Sequence, residues 1–582
     1  MTRANSSKLS MERTIVSNWR FYAVATLLGV LLCLLLWRVI SLQVLDGTYG
    51  YEFLQGQGDA RSLRYAEIPA HRGLITDRRG EPLAVSTPVI SIWVNPKQLA
   101  VEADRVPELA VALKLAPKEL QKQLSRYSSK SFLYLNRHMI PSAARKVLAL
   151  RIPGVYGERE YQRYYPAGEV ASHLVGVTDV DGRGIEGLEL AYNDWLRGEP
   201  GKKKFVKDLY GDMVRDIGEI KAASPGKNLA LSIDLRLQYL AYRELQAAIQ
   251  RTGAKAGSVV MLDSRTGEVL AVVNHPTYNP NRRSDLKSAN LRNRALTDVF
   301  EPGSTMKPLT ILAAMESGQY SSDTLVNTNP GRIRVGGKTF FDPVNYGEIS
   351  VAKIIAKSSQ VGVVKIALSL EHESIRDTFE SFGLGHNPGT GFPGESGGLL
   401  PQRNKWHPVE KATFAFGYGL TVTPLQLAKA YAVMANGGQI MPVSLLRREQ
   451  EAKGIEVASD ESISDLLKIL RGVTEKGGTA TRARVAGYQV GGKSGTAHKV
   501  AAGGYADDRY RAVFAGIAPI SDPRLVTVVV IDEPQGGNRY FGGEVAAPVF
   551  SGVMAGALRM LNIAPDDIGT AAVVVKSAGG AV

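Results

Sequence analysis

The chain has a single cysteine, Cys33, among 582 residues. That scarcity excludes a disulfide framework, a cysteine-ligated zinc site and thiol chemistry everywhere outside one apolar run, where a free cysteine behaves as a small buried hydrophobe. Cys33 is also a poor lipid acceptor, because Leu32 stands where a small residue is wanted. Missing too is any basic run interleaved with aromatics, the pattern of nucleic-acid binders, although the formal net charge is +14. That excess suits anionic lipid or an acidic polymer and by itself names no partner.

One long apolar stretch is present. Phe21 to Trp37 reads FYAVATLLGVLLCLLLW, 17 uncharged residues, and continues past a snorkelling Arg38 through Val39, Ile40 and Leu42 to bilayer length. Ahead of it Arg3, Lys8, Arg13 and Arg20 face the single acid Glu12, a bias that keeps the N-terminus in the cytoplasm. No small-x-small cleavage site follows, so the segment reads as an uncleaved signal anchor over 21–45 behind a cytoplasmic tail, 1–20. Everything after about Leu45 is then expected outside the cytoplasmic membrane.

A chain this long exceeds one ordinary core, so two extracytoplasmic domains are expected. Residues 46–225 are rich in glycine, proline and charge, with short β-like runs such as Val89–Val94, and read as an extended, mostly β pedestal. Ser224-Pro225-Gly226 marks a boundary turn. Over 226–568 strands and helices alternate. Leu235–Ile249 and Val422–Gly438 have helical spacing, Gly257–Val273 is two strands around an Arg-Thr-Gly turn, and the apolar strands ending at Asp532 form an antiparallel hairpin. This predicts an α+β domain, an antiparallel sheet with flanking helices. The small-residue stretch 569–582 reads as a flexible tail.

Three short motifs carry chemistry. In FEPGSTMKPLT, Pro308 pins a helix start close to Ser304, which places that hydroxyl at the positive end of the dipole with Lys307 one turn on. A serine becomes nucleophilic only with such a neighbour, and lysine becomes a base only if burial or another cation lowers its pKa. Ser-x-x-Lys alone does not decide, since it recurs at Ser224, Ser284 and Ser350, the last an expected helix N-cap. In AKSSQVG, Ser358 and Gln360 offer a hydroxyl to relay a proton and an amide to hold a substrate amide. In GGKSGTA, Lys493 supplies a cation, Ser494 and Thr496 supply hydroxyls for a carboxylate, and Gly495 permits close backbone approach if the segment is an edge strand. Read literally, Gly487–Ser494 also satisfies the phosphate-loop pattern G-x-x-x-x-G-K-S. That reading requires a strand before and a helix after the glycines, and the following TAHKVAAGGYADD is not a helix.

In their order along the chain, Ser304-x-x-Lys307, Ser358-x-Gln360 and Lys493-Ser494-Gly495 resemble the three motifs of serine β-lactamases and penicillin-binding proteins. The stretches His71–Ala84, Arg163–Gly168 and Gly182–Gly201 resemble the pedestal of class B, monofunctional penicillin-binding proteins. NRALTDVFEPGSTMKP and FGYGLTVTPLQLAKAYAVMANGG are most similar to the cell-division, septal members. The resemblance implies a D,D-transpeptidase. Ser304 attacks the penultimate D-Ala carbonyl of a peptidoglycan pentapeptide, and an amine from a neighbouring stem takes the acyl group to close a 4-3 cross-link. It implies Lys307 as proton acceptor aided by Ser358 and by the field of Lys493, the Ser304 and Thr496 N–H groups as oxyanion hole, and Ser494 and Thr496 as carboxylate binders. Tyr540 and Phe541 would wall the site, although a plain strand-end aromatic pair reads equally well. β-Lactams are implied inhibitors, and a polytopic glycan polymerase and other division proteins implied partners. Neither metal nor organic cofactor is implied. One residue departs from the family pattern: Gln360 stands where Asn is usual. Two readings follow, an active enzyme with altered preference, which is favoured because every other reactive residue is present, or a weakly active scaffold of the division complex.

Overall fold

The computed structural model describes residues 18–43, 53, 56, 63–207, 213–371, 373–403, 405–450, 452–501, 504–535 and 540–567. Most of the expected cytoplasmic tail and all of the tail from 569 lie outside them. The chain divides into two compact units. The first comprises the segment up to Ala70 together with Glu199–Ser224. Its apolar stretch is one 26-residue helix, Asn18–Gln43, with no residue buried. At about 1.5 Å per residue such a helix spans about 39 Å, more than the roughly 30 Å of a bilayer core, so it fits a single-pass anchor. The same unit holds a three-stranded antiparallel sheet in which Gly201–Lys207 lies between Leu63–Ile68 and Met213–Lys221.

The second unit comprises His71–Gly198 and the chain from Pro225 onward. Its first part is organised by a 13-residue strand, Pro82–Val94, which includes the expected Val89–Val94 run and pairs antiparallel with Val155–Tyr164 and Leu133–Met139. Between these strands run helices Val106–Leu113, Pro117–Arg126 and Pro141–Leu148. Each carries proline in its first turn, where the missing N–H is no loss. They bury Leu109, Leu120 and Val147 in one cluster with Ile92 and Val94. At 8 to 10 residues they are too short to show by periodicity.

The three pedestal stretches singled out in the sequence meet at one buried ion cluster. Glu189, fully buried, accepts from Arg72 Nε at 2.5 Å and from Arg163 Nε at 2.6 Å. Arg72 also donates to the Glu189 and Asn193 backbone region, including Glu189 O at 2.7 Å. A buried carboxylate is tolerable only when charge and hydrogen bonds compensate it this fully.

The remainder is a five-stranded antiparallel sheet with helices around it. Its strands are β1 (Ala256–Asp263), β2 (Val269–His275), β3 (Gly491–Ala501), β4 (Gly504–Ala518) and β5 (Leu525–Asp532), in the order β2-β1-β5-β4-β3. The helices used below are α1 (Leu235–Thr252), α2 (Lys307–Glu316), α3 (Val351–Lys357), α4 (Gln360–Ser369), α5 (Pro424–Ala435), α6 (Asp460–Thr474) and α7 (Ala547–Met560). Strands β1 and β5 are buried on both faces, which is why their middles read Val-Val-Met-Leu and Val-Val-Val-Ile without polar alternation. At the β2 edge, Gln238 of α1 closes the free backbone of Val272 by donating to its carbonyl at 2.6 Å and accepting from its N–H at 2.8 Å. The opposite edge, β3, carries the Lys-Ser-Gly-Thr sequence. One core runs through this unit without a break, from Ile75, Leu83 and Leu174 through Val260 and Leu312 to Phe550.

Candidate active site

Ser304 lies in a single 3-10 turn, Gly303–Met306, that feeds α2, with Pro308 in the helix's first turn. Gly303 has φ of +57°, and Gly417, with φ of +86°, lies so close that an added Cβ would stand 2.2 Å from the Gly303 carbonyl oxygen. Two glycine backbones packed face to face thus set where the turn begins. Thr305 Oγ1 donates to Pro302 O at 2.8 Å, and the fully buried Tyr431 of α5 donates to Thr305 O at 2.8 Å. The serine itself is half-buried at the surface of this rigid start.

Lys307 is fully buried. Its Nζ donates to the carbonyl oxygen of Ser358 at 2.6 Å and to Ser358 Oγ at 3.1 Å. Burial draws its pKa down to about 7, opposed by the charge of Asp342. No hydrogen bond joins Lys307 to Ser304; the ammonium is held by the second motif instead. Ser358 itself is in the left-handed region, φ 59° and ψ 36°, at the end of α3. That conformation, uncommon for a residue with a side chain, turns its carbonyl and hydroxyl together toward Lys307. Ser359 caps α4 by accepting from Gly362 N at 2.9 Å.

The edge strand closes the other side. Gly495 sits where a Cβ would come within 3.0 Å of Pro302 O and Thr305 Cγ2, and Gly303 faces Ala497. Lys493 is fully buried, donates to Ser494 O at 3.1 Å, and is held well below the ordinary lysine range by burial and by the charge of Lys307. Ser494 Oγ meets Thr479 Oγ1 at 3.1 Å, and Thr496 Oγ1 accepts from Gly542 N at 3.1 Å. Directly before Gly542, the Tyr540 ring stacks on Tyr510 of β4 at 4.1 Å and touches Phe541 at 4.5 Å, with Phe541 half exposed.

The structure thus brings Ser304, Lys307, Ser358, Lys493, Gly495 and Thr496 to one corner between the start of α2 and the edge of β3. Gln360 is adjacent, as the first residue of α4. Its N–H donates to Asp342 Oδ1 at 2.6 Å, while its side chain, among the described residues, makes no hydrogen bond. Asp342 is the residue that sequence reasoning missed: it also accepts from Ser359 Oγ at 2.5 Å and from Val361 N at 3.2 Å. A lone Asp-Pro 17 residues before Ser359 offers no signal of this, whereas Thr479, directly after the Gly477-Gly478 pair that follows α6, offers only a weak one. The phosphate-loop reading fails on topology, since Gly491–Ala501 is an edge strand and β5 runs antiparallel to both its neighbours.

An antiparallel sheet whose edge bears Lys-Ser-Gly-Thr beside a helix start bearing Ser-x-x-Lys is the architecture of penicillin-recognising serine acyl enzymes. Residues 257–555 match the penicillin-binding protein transpeptidase domain, and residues 67–231 match the penicillin-binding protein dimerisation domain. Across 95% of its length the chain is 44% identical to the probable peptidoglycan D,D-transpeptidase PbpC of Pseudomonas aeruginosa, covering 97% of that protein. It is 41% identical to the peptidoglycan D,D-transpeptidase FtsI of Escherichia coli, covering 98% of this chain and 96% of that one. Among solved structures, a peptidoglycan synthetase from Bifidobacterium adolescentis matches with a TM-score of 0.69 at 26% identity, over 87% of this chain and 98% of that one. The chain belongs to the class B penicillin-binding proteins.

Proposed function

We propose that the chain is a serine D,D-transpeptidase that cross-links peptidoglycan stem peptides during septal wall synthesis and is a target of β-lactams. One observation carries the reading: a fully buried lysine, one turn after Ser304, held by Ser358 at 2.6 and 3.1 Å and with its pKa drawn down to about 7. Such a lysine can be neutral at physiological pH and accept a proton.

Ser304 Oγ adds to the carbonyl of the penultimate D-Ala while its proton passes to neutral Lys307, with the Ser358 hydroxyl, already in contact with Nζ, as the relay. The tetrahedral oxyanion takes hydrogen bonds from the Ser304 and Thr496 N–H groups. Its collapse breaks the D-Ala–D-Ala amide, the leaving nitrogen receives the proton, and D-Ala departs. A neutral amine of a neighbouring stem then adds to the ester carbonyl, gives up a proton and expels Ser304 Oγ, which is reprotonated. Ser494 and Thr496 hold the terminal carboxylate. The carboxylate beside Lys493 favours the protonated lysine, which supplies the positive field. Gly495 lets the peptide lie close to β3, the Gln360 amide holds a substrate amide, and Tyr540 and Phe541 wall the cleft.

The basic N-terminal flank supports a cytoplasmic N-terminus, and with it a periplasmic catalytic region; the similarity to the Escherichia coli FtsI transpeptidase supports a place at the septum with a polytopic glycan polymerase as neighbour. We divide the chain into a pedestal, 46–225, and a transpeptidase domain, 226–568. The test is the intact mass of the protein after incubation with a penicillin. An adduct on the wild type that is absent from Ser304→Ala supports the reading. No adduct on the wild type overturns it and favours a scaffold whose second motif has drifted at Gln360.

A further inference from the structure

One acid beside the reactive turn is unexplained by the chemistry above. Glu301 lies three residues before Ser304. Its Oε1 accepts from Gly419 N at 2.9 Å and from Tyr505 Oη at 3.1 Å, whereas its Oε2 is buried and has no partner among the described residues. An unmatched buried carboxylate oxygen is costly, and a protein that keeps one is short of a donor. Glu301 lines a cavity of about 270 Å³ with Phe300, Thr421, Ala497, Lys499 and Arg511. The two cations there are already committed. Lys499 Nζ bonds Asp532 at 2.9 Å and Glu533 at 2.6 Å, and Arg511 Nε bonds Asp532 at 2.9 Å. Glu301 is the acid of this cavity with an oxygen left over.

The cavity lies one to three residues beyond Thr496 along β3. A donor peptide added antiparallel to this edge strand, with its C-terminal carboxylate at Ser494 and Thr496, runs its preceding residues past Ala497, His498 and Lys499 at about 3.3 Å per residue. Formation of a 4-3 cross-link requires an amine on the third stem residue. The donor stem bears the same residue, immediately before its penultimate D-Ala, and so opposite this cavity.

Resting on the transpeptidase reading, we propose that Glu301 is a specificity residue that receives the side-chain ammonium of the donor stem's diamino acid. A charge-assisted hydrogen bond to Oε2 supplies the missing donor. The neutral or acylated side chain is then disfavoured twice, by losing that bond and by leaving the oxygen unmatched.

The experiment measures acylation of Ser304 by mass spectrometry with two N-acylated stem pentapeptides, one with lysine and one with N6-acetyl-lysine as third residue. Penicillin is run in parallel. We expect the wild type to be acylated about tenfold faster or more by the lysine peptide, and Glu301→Gln to bring the two rates together. Equal rates on a wild type that penicillin acylates normally would overturn the Glu301 assignment alone. Failure of both peptides and of penicillin would overturn the transpeptidase reading itself. Discrimination that appears only when the two peptides act as acceptors on preformed acyl-enzyme would place the ammonium on the acceptor and also overturn the assignment. Because the readout is a ratio within each protein, partial loss of folded Glu301→Gln leaves it interpretable.

Discussion

Lys307 sits where an ammonium has lost its water and, among the described residues, hydrogen-bonds only to Ser358. Burial therefore favours the neutral amine, with the pKa near 7, and the base form is populated as pH rises through that value. The second-order rate of acylation by penicillin should climb with pH through about 7 and then level, and a stopped-flow profile that is flat from pH 5.5 to 8.5 would contradict the assignment of Lys307 as base. Lys307→Arg fixes the charge and removes the base, so acylation should fall by about a hundredfold or more, the usual weight of a general base. Asp342 acts at one remove, by holding Ser359 Oγ and the N–H groups of Gln360 and Val361. Asp342→Ala should slow acylation roughly tenfold through loosened placement of Ser358 and Gln360, and Asp342→Asn, which keeps acceptor capacity, should recover part of the rate.

At the scale of elements, the reactive corner is assembled from chain breaks rather than from regular structure. The break between α3 and α4 puts a left-handed Ser358 under Lys307, and the 3-10 turn before α2 exposes Ser304. The turn's position depends on the Gly303–Gly417 contact, where an added Cβ would meet a carbonyl oxygen at 2.2 Å. Gly417→Ala should therefore cost on the order of 1–3 kcal/mol, for strain at a positive φ, plus displacement of the turn. The expected result is a lower urea midpoint together with acylation slowed more than tenfold. An unchanged acylation rate would mean that the turn is held by other contacts.

For the whole molecule, pH links to stability through His173. The ring is buried against Tyr278, bonds the Asn290 carbonyl at 2.9 Å, and is held neutral by burial with its pKa lowered to about 4. Between that value and the ordinary 6.5 the unfolded chain binds a proton that the folded chain refuses. This contribution is therefore complete above about pH 6.5 and is lost as pH falls toward 4, a total of about 3 kcal/mol. In urea unfolding of the detergent-solubilised protein, the stability difference between wild type and His173→Gln should shift by about that amount from pH 7 to pH 4. A difference independent of pH would show that His173 does not carry the linkage. The same scale explains the pedestal motifs, whose Arg72, Arg163 and Glu189 form one buried cluster far apart in sequence.

Local chemistry was legible in the chain itself. An apolar run of bilayer length, proline in the first turn of α2, a capping Ser350 that accepts from Lys353 N, and apolar runs in β1 and β5 are each decided by neighbours within a few residues. The order of the three motifs carried the family for the same reason, since each is a short pattern. Tertiary structure alone decided the electrostatics. Whether Lys307 is a base depends on burial by segments from across the chain, and the same burial pushes the pKa of Lys493 down. Asp342 under the second motif and the unmatched oxygen of Glu301 were likewise invisible, because desolvation and hydrogen-bond partners are properties of the packed interior and have no local spelling.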